Sequence, residues 1–181
     1  MKVTDAALSD VKIIEPQVFG DERGFFLESW NARAFADFGI DAQFVQDNHS
    51  RSCKGVLRGL HCQIVQPQGK LVRVISGSAY DVVVDIRRSS PTFGQWTAVE
   101  LTAENKRLLW VPPGFAHGFL ALEDRTDFIY KCTEFYAPAH ERTILWSDPA
   151  IGIDWPDVGI DPILSSKDAA GAPLAEAEVY P

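Results

Sequence analysis

Short segments rich in β-branched and aromatic residues follow one another along this chain, and turn residues separate them. Several of them alternate polar with apolar residues, which is the period of a strand whose two faces meet different surroundings. The predicted strands lie within VKIIEP, GFFLESW, GKLVRVISG, SAYDVVVDIRR, WTAVELT, RLLWVPPGFAHGFLAL, TDFIYKCTEFY and TILWSD. This pattern predicts an all-β sandwich or barrel, and such sheets usually close into a double-layered jelly roll.

Two short segments suit helices better than strands. In NARAFADFG, Asn31 can cap the start of a helix and Gly39 its end. The C-terminal SSKDAAGAPLAEAEVYP is rich in Ala and is expected to form a helical turn or two. A chain of 181 residues, 46% of them hydrophobic, suffices for one buried core, and no repeat or linker interrupts it. We therefore expect a single domain over residues 1–181, all-β with short peripheral helices.

Charge and cysteine content argue against several classes of partner. A formal net charge of -8 disfavours general binding to nucleic acid or to an anionic membrane surface, because both rely on basic protein surfaces. The sequence contains no recognisable signal peptide and no apolar stretch of membrane-spanning length. Three cysteines form an odd set without a C-x-x-C pair, which fits a reducing compartment. We expect a cytoplasmic protein with no nucleic-acid or membrane partner.

The segment VLRGLHCQ places a cation and a histidine, Arg58 and His61, within a predicted strand. One subgroup of jelly rolls, the cupins, binds ligands or metals in the mouth of the barrel. A metal-binding cupin needs about three histidines and a carboxylate around one ion. Here only His117 of PPGFAHGF could face His61 across the barrel, and Cys62 should point to the opposite face. We therefore expect neither a metal nor another cofactor.

Polar residues at intervals inside apolar strands indicate a lined pocket. The candidates on neighbouring segments are Gln46, Asp47, Asn48, Lys70, Tyr130 and Tyr136. A regular strand would put Arg58 and His61 on opposite faces, whereas a bulge at Gly59 would bring both to one face. The sequence leaves these two arrangements open. Two other histidines, His49 and His140, are expected to be structural.

The chain resembles the dTDP-4-dehydrorhamnose 3,5-epimerase family over nearly its whole length. The matching segments, in the same order, are FGDERGFFLESWN, FVQDNHS, VLRGLHCQ, QGKLVRVISG, DVVVDIR, SPTFGQW, PPGFAHGF, YKCTEFY and LSSKDAAGAP. The resemblance implies a metal-independent cupin-type double-stranded β-helix, or jelly roll, that acts on a dTDP-4-keto-6-deoxyhexose. It also implies inversion of C3 and C5 on the route to dTDP-L-rhamnose. The implied assembly is a homodimer in which an N-terminal strand of one subunit helps to complete the other's site.

The same resemblance implies four catalytic residues. His61 is the implied base, and Asp168 of SSKDAA is the carboxylate that orients its imidazole. Tyr130 is the implied acid on the opposite side, and Lys70 is the implied cation that stabilises the enolate oxygen. The reaction needs such a set because a C4 ketone acidifies the protons on C3 and C5. Inversion then requires removal of a proton from one face and its return to the other.

Further matches imply the residues that bind the nucleotide and the sugar. They are Arg23, Glu28, Gln46, Asn48, Arg58, His117, Tyr136, Glu141 and Lys167. Arginine suits a diphosphate because its guanidinium forms two parallel charge-assisted hydrogen bonds. His117 is similar to a sugar-contacting histidine, and Tyr136 is similar to an aromatic that stacks on thymine. Local cations of this kind would let an acidic protein bind an anionic substrate.

One residue departs from the family pattern, since Cys62 stands where an aromatic is usual. We expect Cys62 to pack against the second sheet as a small hydrophobic residue, leaving room for a different neighbour near the sugar. Related epimerases invert only C3 or only C5 on the same scaffold, and other barrels bind sugars without turnover. The presence of His61, Asp168 and Tyr130 favours an enzyme. The choice between C3, C5 and both carbons stays open.

Overall fold

Short strands dominate residues 1–181, all of which are described by this computed structural model. The strands are Lys2–Asp5 (β1), Lys12–Glu15 (β2), Val18–Asp21 (β3), Gly24–Leu27 (β4), Gln46–Ser52 (β5), Leu57–Gln63 (β6), Lys70–Ser76 (β7), Ser78–Asp85 (β8), Trp96–Thr102 (β9), Leu108–Val111 (β10), Phe115–Ala121 (β11), Thr126–Cys132 (β12) and Glu141–Thr143 (β13). The helices are Ala32–Ala36 (α1), Ser166–Ala169 (α2) and a 3₁₀ turn at Pro138–His140. None of them is long and apolar enough to cross a membrane.

Two antiparallel sheets form the body of the protein. The six-stranded sheet has the order β1-β2-β10-β7-β12-β5, and the five-stranded sheet has the order β13-β6-β11-β8-β9. Strands β3 and β4 form a separate hairpin. Many neighbours within a sheet are distant in sequence because the chain crosses repeatedly between the two layers, as it does in a jelly roll. The predicted all-β jelly roll is confirmed.

The main hydrophobic core lies between the two sheets. Strand β7 alternates as predicted, so Val72 and Val74 point into this core while Leu71 belongs to a second cluster outside it. Phe128 of the six-stranded sheet stacks on Phe119 of the five-stranded sheet, with ring centroids 4.1 Å apart. Stacked aromatic pairs bury much apolar area, so these two rings join the layers and form a floor beneath the polar end of the barrel.

The outer face of each sheet is covered by a peripheral segment. Helix α1 places Phe35 over the six-stranded sheet, and Asn31 caps this helix by accepting hydrogen bonds from two backbone N–H groups. Gly39 follows the helix with a φ of +80°, as its predicted terminating role requires. On the five-stranded sheet, the C-terminal segment buries Leu174 and Ala177. The predicted helical turn in this segment is α2.

Two predicted strand segments differ from the observed elements. The strand predicted in TILWSD is instead Glu141–Thr143, and the chain beyond it turns. The turn is fixed by the buried carboxylate of Asp148, which accepts hydrogen bonds from the N–H groups of Ala150 and Leu174. The segment RLLWVPPGFAHGFLAL contains two strands, β10 and β11, because the prolines between them cannot donate ladder hydrogen bonds.

A bulge in β6 decides the orientation that the sequence left open. His117 of β11 lies opposite His61, but Phe119 lies opposite Arg58, so β6 contains one extra residue in this interval. Gly59 adopts a φ of +138°, and a Cβ atom there would lie 2.6 Å from the Cα of Gly118. The bulge therefore depends on glycine, and it turns Arg58 and His61 toward the same space between the sheets.

Replacing Gly59 by Ala should destabilise the protein more than the same substitution at a glycine that has a positive φ but open surroundings. Gly24 is a matched control, because its φ is +130° but no atom lies within 4 Å of an added Cβ. We expect Gly24→Ala to cost about 1–3 kcal/mol from backbone strain. Gly59→Ala should cost at least about 2 kcal/mol more, from overpacking against Gly118. Urea unfolding of both variants at one protein concentration measures the difference, and equal losses would contradict this account.

Candidate active site

A cavity of about 410 Å³ lies between the two sheets. Most of the residues predicted for the site line it, namely Gln46, Asn48, Arg58, His61, Lys70, His117, Tyr130, Tyr136, Glu141, Lys167 and Asp168. They come from both sheets, from the loop after β12 and from α2. Strand alternation brings the strand residues together, since each points inward from its own strand.

His61 and Asp168 form a hydrogen-bonded pair at one wall of this cavity. The Nε2 atom of His61 lies 2.6 Å from Oδ1 of Asp168, whose side chain is only 4% exposed. Ser165 caps α2 and its hydroxyl donates to the other carboxylate oxygen of Asp168 at 2.6 Å, while the Gly59 N–H donates to Oδ1 at 3.2 Å. The carboxylate is therefore held from three sides and fixes one orientation of the imidazole.

The two partners of this pair have shifted pKa values. Burial alone would raise the pKa of Asp168, but the hydrogen bonds from His61 and Ser165 outweigh it and lower the pKa to about 2. Burial is the main cause that lowers the pKa of His61 below 6.5, with Lys167 and Lys70 adding to the shift and Asp168 opposing it. At neutral pH the pair is therefore a neutral imidazole beside a carboxylate. Because that carboxylate accepts the Nε2 proton, the Nδ1 atom carries the free lone pair.

A second imidazole–carboxylate pair joins the neighbouring strands β11 and β8. The Nε2 atom of His117 is 2.9 and 3.0 Å from the two oxygens of Asp81, which is fully buried on β8. Burial raises the pKa of Asp81, although His117 and Lys70 oppose this. His117 lies directly opposite His61 in the sheet, so two imidazoles backed by carboxylates face one cavity.

Lys70 and Tyr130 belong to neighbouring strands of the six-stranded sheet, the wall opposite His61. Burial lowers the pKa of the Lys70 ammonium, while the thiols of Cys132 and Cys62 and nearby carboxylates oppose the shift. Burial also raises the pKa of the Tyr130 hydroxyl, with a smaller contribution from Cys132. The Tyr130 ring meets Phe128 edge-on. Tyr130 is therefore a protonated hydroxyl at neutral pH, and its ring is set by packing.

A polar chain of side chains borders the cavity near α2. Glu141 accepts a hydrogen bond from the Tyr136 hydroxyl at 3.0 Å and forms an ion pair with Lys167 at 2.9 Å. Burial would raise the pKa of Glu141, but the bonds from Lys167 and Tyr136 lower it overall. Arg58 extends an exposed guanidinium, whose Nε donates to Ser52 Oγ at 3.2 Å. Two cations are thus available for an anionic group.

Arg23 and Glu28 do not lie in the cavity of this chain. Arg23 sits in the β3–β4 hairpin, where it pairs with Asp21 and its side chain is 85% exposed. Glu28 follows the hairpin and accepts a hydrogen bond from Asn31 at 3.1 Å. Of the two histidines expected to be structural, His49 hydrogen-bonds to Asp127 at 3.0 Å and does not line this cavity.

Cys62 is buried as a small hydrophobic residue, but its position differs from the one expected. It packs with Val84 and Leu174 on the outer face of the five-stranded sheet, beneath the C-terminal segment. The cause is strand alternation, which turns Cys62 away from the side of His61. The expectation that Cys62 packs against the second sheet is therefore wrong, and beside the site it borders only a small cavity of about 10 Å³ with His61, Lys70 and His117.

Several cavity residues escaped the sequence reasoning. They are Ser50, Gln68, Ser165 and, behind His117, Asp81. Two of them had a signal. Ser165 stands three residues before Asp168, which is the spacing of a helix-capping pair, and Asp81 is an acidic residue within an apolar strand. No group of three or more His, Cys, Asp or Glu side chains is arranged to hold a metal ion, and the absence of a metal stays a prediction.

The His61–Asp168 pair should make stability depend on pH. The pKa of His61 is lower in the folded protein than in the unfolded chain. Below pH 6.5 the unfolded chain therefore binds a proton that the folded protein does not, and stability is lost as the pH falls toward the lowered pKa. Wild-type unfolding free energy should therefore decrease from pH 7.5 to 5.5 more steeply than that of His61→Gln, with urea unfolding as the measurement. His140→Gln is the matched control and should keep the wild-type slope. A His61→Gln variant with the wild-type slope would contradict the assignment.

Known proteins are similar to this chain in both sequence and fold. Residues 5–176 match the family described as dTDP-4-dehydrorhamnose 3,5-epimerase. Enzymes with that name from Pseudomonas aeruginosa and Salmonella typhimurium are both 57% identical; the first match covers 100% of both chains, the second 97% of this chain and 96% of the relative. The resemblance predicted from the sequence is confirmed.

Solved structures agree with this result. A dTDP-6-deoxy-D-glucose-3,5-epimerase from Legionella pneumophila, in complex with dTDP-4-keto-L-rhamnose, has a TM-score of 0.95 and 53% identity, covering 98% of this chain and 94% of that one. A 3'-monoepimerase from Streptomyces bikiniensis, in complex with dTDP-quinovose, has a TM-score of 0.89 and 36% identity, covering 94% and 87%. This chain is therefore a member of the dTDP-4-dehydrorhamnose 3,5-epimerase family of isomerases.

Proposed function

We propose that this protein inverts C3 and C5 of dTDP-4-dehydro-6-deoxyglucose and so forms dTDP-4-dehydrorhamnose for dTDP-L-rhamnose biosynthesis. The observation that carries the proposal is the His61–Asp168 pair, 2.6 Å apart, in a cavity that also contains Tyr130 and Lys70. The names of the relatives, and the 4-keto sugar nucleotide bound to the Legionella enzyme, support the choice of substrate.

In this proposal His61 is the base for both carbons. The C4 ketone acidifies the neighbouring C–H groups, so a neutral imidazole can remove a proton from either of them. Because Asp168 holds Nε2, the proton passes to Nδ1, and the ionised carboxylate then stabilises the imidazolium. The lowered pKa of His61 keeps the base unprotonated at neutral pH.

Tyr130 and Lys70 complete the chemistry from the opposite sheet. The negative charge of the enolate develops on the C4 oxygen, and an ammonium in a partly buried cavity stabilises it more strongly than it would in water. Lys70 takes this role, and His117 contacts the sugar beside it. Tyr130 returns a proton from the wall opposite His61, and its raised pKa keeps that proton available. Removal from one side and return from the other give inversion.

The remaining cavity residues bind the nucleotide. Arg58 and Lys167 are placed to neutralise the diphosphate, since both present a cation to the cavity. The exposed ring of Tyr136 offers a surface on which thymine can stack. Gln46, Asn48 and Glu141 supply polar contacts around it. These local cations and donors explain how a chain with a net charge of -8 can bind an anion.

Epimerisation at C3 alone is the second candidate, because a 3'-monoepimerase shares the fold. Sequence identity favours the double inversion, at 57% for the Pseudomonas 3,5-epimerase against 36% for the 3'-monoepimerase. A barrel that only binds sugar nucleotides would have no use for His61, Asp168 and Tyr130 together.

We also propose that residues 1–181 form a single domain and that the protein is cytoplasmic. The three free thiols support the cytoplasmic location.

Proton exchange in heavy water separates the base from the acid. Wild-type protein should incorporate deuterium at C3 and C5 of the 4-keto sugar nucleotide, and His61→Ala should lower this exchange by about 10²–10⁴-fold. Tyr130→Phe keeps the base and the enolate site, so deuterium incorporation with retained configuration should outpace inversion. NMR follows both carbons. The control is Tyr136→Phe, which should not separate exchange from inversion, and inversion by Tyr130→Phe at the wild-type rate would contradict the role of Tyr130.

The β3–β4 hairpin supports a homodimer in which subunits complete each other's sites. It exposes Phe19, Phe25 and Phe26 to solvent by 61–67%, and such an apolar patch is typical of a contact surface. Arg23 lies in the same hairpin and outside its own cavity. We infer that this hairpin and the adjoining Glu28 reach the cavity of the partner subunit, where a cation can meet the anionic nucleotide.

Mixed dimers test this exchange of hairpins. Arg23→Ala damages the donated hairpin, and His61→Ala damages the receiving cavity. Each variant alone should have low activity, whereas unfolding and refolding them together should restore about a quarter of wild-type activity, because half of randomly formed dimers have one intact site. A mixture that shows only the average of the two parents would contradict the exchange. Wild-type protein mixed with His61→Ala controls for subunit refolding.

A further inference from the structure

The segment of residues 133–137 carries Tyr136 but has no regular secondary structure. It connects β12 of the six-stranded sheet with the 3₁₀ turn that precedes β13 of the five-stranded sheet. Backbone N–H and C=O groups in such a segment need partners outside any strand ladder. The identity of those partners decides how firmly Tyr136 is held.

Gln63 supplies two of these partners from β6. Its Nε2 donates to the carbonyl of Phe135 at 3.2 Å and to that of Gln66 at 2.8 Å, and its Oε1 accepts from the N–H of Ala137 at 2.8 Å. Gln63 is 4% exposed and does not line the main cavity. Both ends of its amide are therefore used within the protein, on the two residues that flank Tyr136.

Two other glutamines bind the same segment. The Oε1 atom of Gln46 accepts a hydrogen bond from the N–H of Tyr136 at 2.9 Å. The Nε2 atom of Gln68 donates to the carbonyl of Glu134 at 2.8 Å. Gln46 comes from β5 in the six-stranded sheet and Gln63 from β6 in the five-stranded sheet. We call Gln46, Gln63 and Gln68 the glutamine clamp, and it ties the segment to both layers.

Glutamine is suited to this task because its amide both donates and accepts hydrogen bonds. Its side chain matches a peptide group, so it can replace the strand neighbour that the segment lacks. Loss of one amide in a buried place leaves its former partners unsatisfied, which costs more than the hydrogen bond itself contributes. The backbone of Tyr136 is thus fixed by the clamp, while its hydroxyl is fixed separately by Glu141.

We propose that the glutamine clamp is a positioning device that holds the ring of Tyr136 for the nucleotide base, with Gln63 acting only through Tyr136. This inference rests on the proposed function, since it assigns the base-binding end of that site. Gln63 does not line the main cavity, and its amide bonds only backbone groups, so its effect should fall on nucleotide affinity. The catalytic groups on β6, β7 and β12 should keep their geometry when Gln63 is replaced.

Calorimetry with dTDP, which lacks the sugar, measures this affinity directly. Gln63→Leu should raise the Kd for dTDP about tenfold, the change that corresponds to losing one hydrogen bond's free energy of about 1.4 kcal/mol. At saturating substrate, kcat should stay within about twofold while KM rises. In a Tyr136→Ala background the same substitution should change Kd by less than about twofold, because the group that Gln63 positions is absent.

Controls separate this effect from folding and from the proposed function. Gln43→Leu removes an exposed glutamine outside the clamp and should leave Kd unchanged. Gln63→Asn keeps an amide but withdraws it by one methylene, so it should also weaken dTDP binding. This variant replaces Gln63→Leu in the test if Gln63→Leu does not fold. An unchanged Kd in both Gln63 variants, or an equal loss in the Tyr136→Ala background, overturns the clamp. Wild-type protein that does not bind dTDP overturns the proposed function instead.

Discussion

The close approach of two backbones at Gly59 and Gly118 is the constraint on which the site depends. Only glycines allow it, because a Cβ atom at Gly59 would lie 2.6 Å from the Cα of Gly118. The bulge that results brings Arg58 and His61 to one side of the sheet, and the Gly59 N–H then reaches the carboxylate of Asp168. One local irregularity therefore positions the guanidinium of Arg58, the imidazole of His61 and the helix that carries Asp168. In a regular strand, Arg58 and His61 would have pointed to opposite faces of the sheet.

The charges around the cavity are also distributed unevenly. Asp168 and Asp81 are buried, and each is hydrogen-bonded to an imidazole rather than paired with a permanent cation. The cations Arg58, Lys70 and Lys167 are thus left facing the cavity, although Lys167 also pairs with Glu141. A half-buried ammonium without an ion-pair partner is unfavourable in the free protein, and its partial burial lowers the pKa of Lys70. An anionic ligand would relieve this cost, so the free protein is arranged for negative charge despite its acidic composition.

Much of the fold was predictable from the sequence because strand alternation and turn residues are local signals. The strand segments that contain β7 and β12 were predicted from their residues, whereas β5 was not, and the roles of Lys70 and Tyr130 came from the family resemblance. The sequence could not decide the bulge at Gly59, because glycine permits a bulge without requiring one. It also could not place Arg23 and Glu28, whose hairpin packs outside the cavity of its own chain. Gln63 gave no signal because its importance lies in which backbone groups it meets, and a sequence contains no such information.

The separation of the two walls limits how one site can invert two carbons. His61 belongs to the five-stranded sheet and Tyr130 to the six-stranded sheet, and Asp168 and Phe128 hold them in place. C3 and C5 flank C4, so a turn of the sugar about the C1–C4 axis exchanges them while the C4 oxygen stays near Lys70. In the proposed binding mode the nucleotide is anchored by other residues, and rotation about the diphosphate linkage would leave the sugar free to make this turn. Under the proposed reaction, the mobile part is therefore the substrate, and the catalytic groups remain fixed. A barrel that accepts only one sugar orientation would invert one carbon with the same acid and base, and a 3'-monoepimerase does share this fold.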